Sequence, residues 1–149
     1  MNLPRSALAI AACVVSLSGC DAGFCSRIQV DYLSTTVTSD LPAMEAELIA
    51  AMRAYARSNG LQCDAGTALP MRCEGLPVHV VAFRTDKGAM VCYSALGIPL
   101  EGGKFQRRIN ELERSLNEQT GITASAGQMT AVMPPQCSQG WAQAFSARH

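Results

Sequence analysis

Val30-Asp-Tyr32 returns as Val91-Cys-Tyr93, and Gly60-Leu-Gln-Cys-Asp-Ala-Gly66 returns as Gly121-Ile-Thr-Ala-Ser-Ala-Gly127. A single shift of 61 residues carries Val30–Gly66 onto Val91–Gly127 without a gap. Arg53 then meets Arg114, while Met44/Phe105, Leu48/Ile109 and Leu61/Ile122 match in character. The coincidence of helix stops and strand starts weighs more than the identities. In the first copy, Ile28 to Val37 read as a strand, because Ile28, Val30 and Tyr32 alternate with polar residues. Ser39-Asp40-Leu41-Pro42 offers cap residues and an early proline, and Leu41, Met44, Leu48, Met52 and Tyr55 then form one helical stripe. Asn59-Gly60 stops that helix, and Leu61 to Ala65 resume as a strand. In the second copy Ala89 to Leu96 read as a strand, Phe105, Ile109, Leu112 and Leu116 mark a helical face, and Thr120-Gly121 ends it before Ile122 opens an extended stretch.

A doubled strand–helix–strand unit predicts an α+β fold, a ferredoxin-like two-layer sandwich with two helices on one antiparallel sheet. An extra hairpin strand breaks the symmetry. Leu76 to Arg84 are strand-like, and Asp86-Lys87-Gly88 turn the chain back into the strand at 89–96. The expected organisation is residues 1–19 as a signal peptide, 20–27 as a tether, 28–133 as the α+β domain and 134–149 as a C-terminal tail. Pro134-Pro135 open that tail, in which a short helix would set Trp141 and Phe145 on one side, four residues apart. They would cap the core or serve as an aromatic anchor for a partner.

The N-terminus reads as an address rather than as fold. Arg5 supplies a positive start, and the apolar run from Ser6 to Leu17, roughly 12 residues, suits a signal sequence, whereas a membrane-spanning helix needs about 20. The run ends in Leu17-Ser18-Gly19-Cys20, an aliphatic residue, two small residues and a cysteine. This closely resembles the lipobox of bacterial lipoprotein precursors. The resemblance covers residues 1–20 and implies diacylglycerol on the Cys20 thiol, cleavage after Gly19 and acylation of the new amino terminus. Several acyl chains anchor stably where one is marginal. Asp21 resembles the enterobacterial signal for retention in the inner membrane, which favours that membrane over the outer one.

Cys13 leaves with the signal and Cys20 takes the lipid, so Cys25, Cys63, Cys73, Cys92 and Cys137 remain. Outside the cytoplasm thiols pair, and five allow two bridges with one left over. Cys63 and Cys73 enclose a short Gly-, Pro- and Ala-containing segment and are the first expected bridge. If the last strand lies beside the first, Cys137 comes near Cys25, so Cys25–Cys137 is the second and Cys92 the free thiol. The competing assignment pairs Cys92 with Cys73 or Cys137.

The 149 residues carry 12 basic and 12 acidic side chains, with a pI near 6.7 and 48% apolar content. One domain with an ample core follows, without the basic footprint of a nucleic-acid binder. Residues 20–149 have a formal charge of −1, and Lys87 and Lys104 are their only lysines. With two histidines and no CxxC, the sequence offers no metal site and no cofactor motif. His79 lies on a strand face with Val81 and Phe83, where a structural role outweighs a Cys–His pairing with Cys92. Glu45/Glu47 and Glu111/Glu113 lie on polar helix faces, so they do not converge as catalytic acids need to. Lys104, Arg107, Arg108 and Arg114 form either a solvated face paired to Glu111 and Glu118 or a charged docking surface for an acidic partner. No catalytic residue is expected. The expected function is a lipid-anchored periplasmic protein-binding module that works through its surface. It would be a subunit or assembly factor of an envelope complex such as a secretion system, or an inhibitor or immunity protein. A small-ligand sensor or carrier is the alternative. Trp141, Phe145, Arg107 and Arg108 are the candidate partner contacts; the oligomeric state is left open.

Overall fold

The computed structural model describes residues 24–32, 41–76, 78–95, 102–119, 121–130 and 133–146. Cys20, Asp21 and the signal-like segment lie outside them. The described chain is α+β: β1 (Phe24–Asp31), α1 (Leu41–Ser58), β2 (Gln62–Cys63), β3 (Met71–Gly75), β4 (Val78–Thr85), β5 (Gly88–Ala95), α2 (Gly102–Asn117), β6 (Thr123–Ala126) and α3 (Pro135–Ser146). One six-stranded antiparallel sheet runs in the order β2-β3-β4-β5-β1-β6.

Both helices of the repeated unit form as expected, and so does the first strand of each copy, although β1 ends at Asp31 and residues 33–37 of the strand expected there lie outside the described residues. Val30 and Val91 lie on β1 and β5, which pair antiparallel at the centre of the sheet. Gly60 (φ 71°) and Gly121 (φ 84°) follow the two helices in left-handed conformations that suit glycine. Met44, Leu48, Met52 and Tyr55 of α1 and Phe105, Ile109, Leu112 and Leu116 of α2 are buried. They pack with Ile28, Val30, Val91 and Tyr93 into the main core.

The first copy departs from the symmetry at its second strand. The extended run expected over 61–65 shortens to the two residues of β2, at the sheet edge. The place beside β5 is taken by β4, whose Val78, Val80, Val81, Ala82 and Phe83 are all buried. A strand apolar on both faces gains more from a central position than a short polar one. The separate strand β3 was not expected, and Leu76 sits in the β3–β4 turn rather than in a strand.

Two boundaries also need correction. Residues 24–27 are not tether but the first half of β1: the Phe24 ring packs on Phe105 at 5.4 Å, and Cys25 and Ser26 are buried. Much of the tail 134–149 is α3, with Pro135 at its first position, where a missing N–H costs nothing. This helix covers the sheet face opposite α1 and α2 through Val81, Phe83, Met90, Cys92 and Cys137. Gly140 is buried there because a Cβ would lie 2.0 Å from the Phe83 ring. With helices on both faces, every residue of β5 is buried.

The free side of edge strand β6 is closed by side chains of α2. The Asn117 amide accepts from Ala124 N–H (2.7 Å) and donates to the Ala124 carbonyl (2.9 Å), as a neighbouring strand would. Glu113 accepts from Ala126 N–H at 2.5 Å.

Candidate functional site

Cys63–Cys73 is a disulfide as expected, across the β2–β3 pair. The second bridge is Cys92–Cys137, not Cys25–Cys137. The topological premise was sound, because Thr130 and Cys25 exchange backbone hydrogen bonds at 2.7 Å. However, α3 then carries Cys137 across the sheet face, its Cα 5.6 Å from that of Cys92 on β5. Cys92 is therefore not a free thiol. Cys25, which lines the same small space as Cys92 and Cys137, is itself disulfide-bonded. Disulfides of this kind belong to an oxidising, extracytoplasmic compartment. No helix among the described residues is long and apolar enough to cross a membrane.

His79 cannot act with Cys92. It pairs with Ser94 and Glu74 across the sheet, and its Nδ1 lies 3.4 Å from a Glu74 carboxylate oxygen. On α2, Arg107 and Lys104 are exposed, and Arg108 is half-buried. Arg72 and Arg84 pair with Glu74 and Glu45, whereas the expected Arg107–Glu111 and Arg114–Glu118 contacts are not among the ion pairs of the described residues. Lys104, Arg107 and Arg114 are thus exposed to water, whereas Arg108 turns toward the Tyr93 hydroxyl. Trp141 and Phe145 both lie on α3, and their side chains fall outside the described residues.

The arrangement with the widest chemical variety is a cleft the sequence did not indicate. It lies at the end of the sheet where β1 stops, β4 turns into β5 and α1 begins. Its volume is about 420 Å³, and Tyr32, Leu41, Pro42, Glu45, Arg84 and Thr85 line it. Glu45 accepts two hydrogen bonds from the Arg84 guanidinium, at 2.7 and 3.0 Å. Arg84 is largely exposed and Glu45 mostly covered, so the guanidinium edge is the part offered to a ligand. Tyr32 donates to the Gly88 carbonyl at 3.1 Å. Burial, then the nearby Glu45, hold the Tyr32 hydroxyl above its ordinary value, so it stays a neutral donor. An apolar wall with one oriented charged pair suits binding. Glu45 and Arg84 belong to elements far apart in sequence, and their side-chain types alone carry no sign that they meet. A second cavity of about 570 Å³ beside Arg27, Thr130 and Pro134 holds one cation, Arg27, which donates to the Gln136 side chain. No model of a known protein family and no curated protein matches this chain.

Proposed function

We propose that the protein is a lipid-anchored periplasmic binding module that engages another envelope protein through the Tyr32–Glu45–Arg84 cleft. The observation that carries this reading is the cleft's position. It lies at the opposite end of the sheet from Phe24, where the chain enters the fold. A domain tethered through Cys20, with Asp21 favouring the inner membrane, would present that cleft away from the bilayer. The proposal includes a ferredoxin-like core. What supports it is the order β6-β1-β5-β4 with α1 and α2 on one face, to which β2 and β3 would be additions. A subunit or assembly factor of an envelope machine and an inhibitor or immunity protein both fit. The cavity volume also suits a small ligand, which keeps a sensor or carrier as the second reading.

The test is crosslinking and pull-down from intact envelopes with the wild type, a Glu45→Lys variant and a form lacking residues 1–20. One stoichiometric partner, recovered with the wild type and lost with Glu45→Lys, is the expected result. Recovery undiminished in Glu45→Lys removes the cleft from the proposal. If no protein is enriched and a small-molecule screen raises the melting temperature, the sensor reading replaces the binding module. Mass spectrometry of the mature protein addresses the anchor. A thioether-linked diacylglycerol on Cys20 is expected. Four of the seven cysteines form the two bridges above, so a Cys25 bridge within the chain draws on Cys13 or Cys20. Lipidation therefore requires that no such bridge persists in the mature protein, and a Cys20–Cys25 disulfide overturns it, because a sulfur in a disulfide carries no lipid.

A further inference from the structure

The register of the sheet determines what stands beside the chain's entry point. Phe24 of β1 pairs with Ala95, Ala95 with Val78, and Val78 with Gly75. The start of β1 and the β3–β4 turn therefore share one end of the sheet, two to three strand spacings or about 10–14 Å apart. Cys20 precedes Phe24 by four residues, which reach at most about 14 Å. In that turn Leu76 is 95% exposed, the only large apolar side chain so exposed among the described residues. Leucine does nothing for turn geometry, which favours Gly, Pro, Asn, Asp and Ser.

Cations collect at the same end. The first turn of α2 packs here through Phe105 on Phe24, with Lys104 and Arg107 exposed. The end of α1 brings exposed Arg57, because the Gly60 carbonyl lies close enough to Gly75 that a Cβ there would be 2.7 Å from it. Glu74, the acid at this end among the described residues, lies 3.9 Å from the Arg72 guanidinium and 3.4 Å from the His79 ring. The opposite end carries Asp31, Glu45, Glu47, Asp86 and Glu118 against Arg84, Lys87 and Arg114.

We propose that this end is a membrane-contact surface on which Leu76 enters the acyl boundary while Arg57, Lys104 and Arg107 meet anionic lipid headgroups. The inference rests on lipidation of Cys20, which brings the end within reach of the bilayer. An exposed apolar tip ringed by basic residues matches the interface of an anionic leaflet, where each cation adds attraction. An acidic protein would satisfy the cations and leave Leu76 in water.

The experiment uses the processed full-length protein reconstituted into phosphatidylethanolamine–phosphatidylglycerol vesicles with brominated acyl chains. Tryptophan replaces Leu76 in one variant and Asp86, at the opposite end, in another, and wild-type Trp141 emission is subtracted. Flotation of the vesicles and the intact mass at Cys20 are measured on the same samples. The expected result is co-flotation with a blue shift and loss of most of the added Leu76→Trp emission, while Asp86→Trp emission is unchanged. Adding Lys104→Glu and Arg107→Glu to the Leu76→Trp variant is expected to abolish the quenching. Co-flotation with equal emission from both tryptophans overturns the membrane surface and leaves the anchor standing. Quenching that survives both charge reversals removes the headgroup contacts. Failure to float with an unmodified Cys20 overturns the anchor, and the membrane surface with it.

Discussion

The hydroxyl of Tyr55 shows how single residues fix the packing of helices on the sheet. It lies 3.2 Å from the Tyr93 hydroxyl and donates to the Arg108 carbonyl at 3.1 Å, so α1, β5 and α2 meet at one polar point inside an apolar core. Burial is the main reason that Tyr55, Tyr93 and Tyr32 all titrate above the ordinary 10.0, with Tyr93 adding to the effect on Tyr55 and Glu45 to that on Tyr32. These are all the tyrosines of the chain. Each is an acid whose charged form the fold disfavours, so its folded value lies above its unfolded one. The stability that follows is fully present below pH 10.0 and is lost as pH rises above it. Alkaline titration followed by phenolate absorbance should therefore show no tyrosine ionising near pH 10.0 in the folded protein. Ionisation should coincide with loss of the far-ultraviolet circular dichroism. A phenolate signal that appears near that pH while the fold persists would contradict the burial of at least one ring.

At the scale of elements, the sheet is protected where it ends. β6 is short and bears no charge of its own, so its free side would invite another strand. Asn117 supplies both a donor and an acceptor to Ala124, and Glu113 supplies an acceptor to Ala126. Asn117→Ala leaves those backbone groups to water, which should cost about 1 kcal/mol in urea unfolding. It should also expose a pairing edge, so the variant is expected to self-associate more than the wild type in sedimentation velocity. Equal sedimentation of the two proteins would show that something other than Asn117 guards the edge. Asn117 and Glu113 belong to the polar side of a helix whose apolar stripe was plain in the sequence, and nothing in their spacing says that they reach a strand. The stripes of α1 and α2, their glycine stops and the β4–β5 hairpin were legible because each is a local pattern of three- or two-residue period. The competition between β2 and β4 for the place beside β5 was not legible. It depends on comparing burial on both faces of segments separated by residues 64–77, and pattern reading inside one window does not make that comparison.

In the whole molecule, the same limit explains the misassigned disulfide and the unexpected cleft. The return of the chain past Cys25 followed from topology, but the path of α3 over the sheet depends on Gly140 against Phe83 and on the apolar outer face of β4 and β5. The cleft likewise needs the start of α1 and the β4–β5 turn to meet, a contact set by the packed domain. The two disulfides differ accordingly in what they secure. Cys63–Cys73 closes a separation of 10 residues within one edge hairpin, whereas Cys92–Cys137 closes 45 and pins the helix that forms the second face. Loop-closure entropy alone assigns about 3 kcal/mol to the first and about 4 kcal/mol to the second. Among the described residues, α3 is held on the sheet by Cys92–Cys137, by Val81, Phe83 and Met90 and by the Arg27–Gln136 hydrogen bond, and its departure uncovers that apolar patch. Paired alanine substitution at Cys92 and Cys137 should therefore lower urea stability more than at Cys63 and Cys73. It should also be the one that increases binding of a hydrophobic dye before global unfolding. If the Cys63/Cys73 variant proves the less stable of the two, the edge hairpin rather than α3 is the element on which the fold depends.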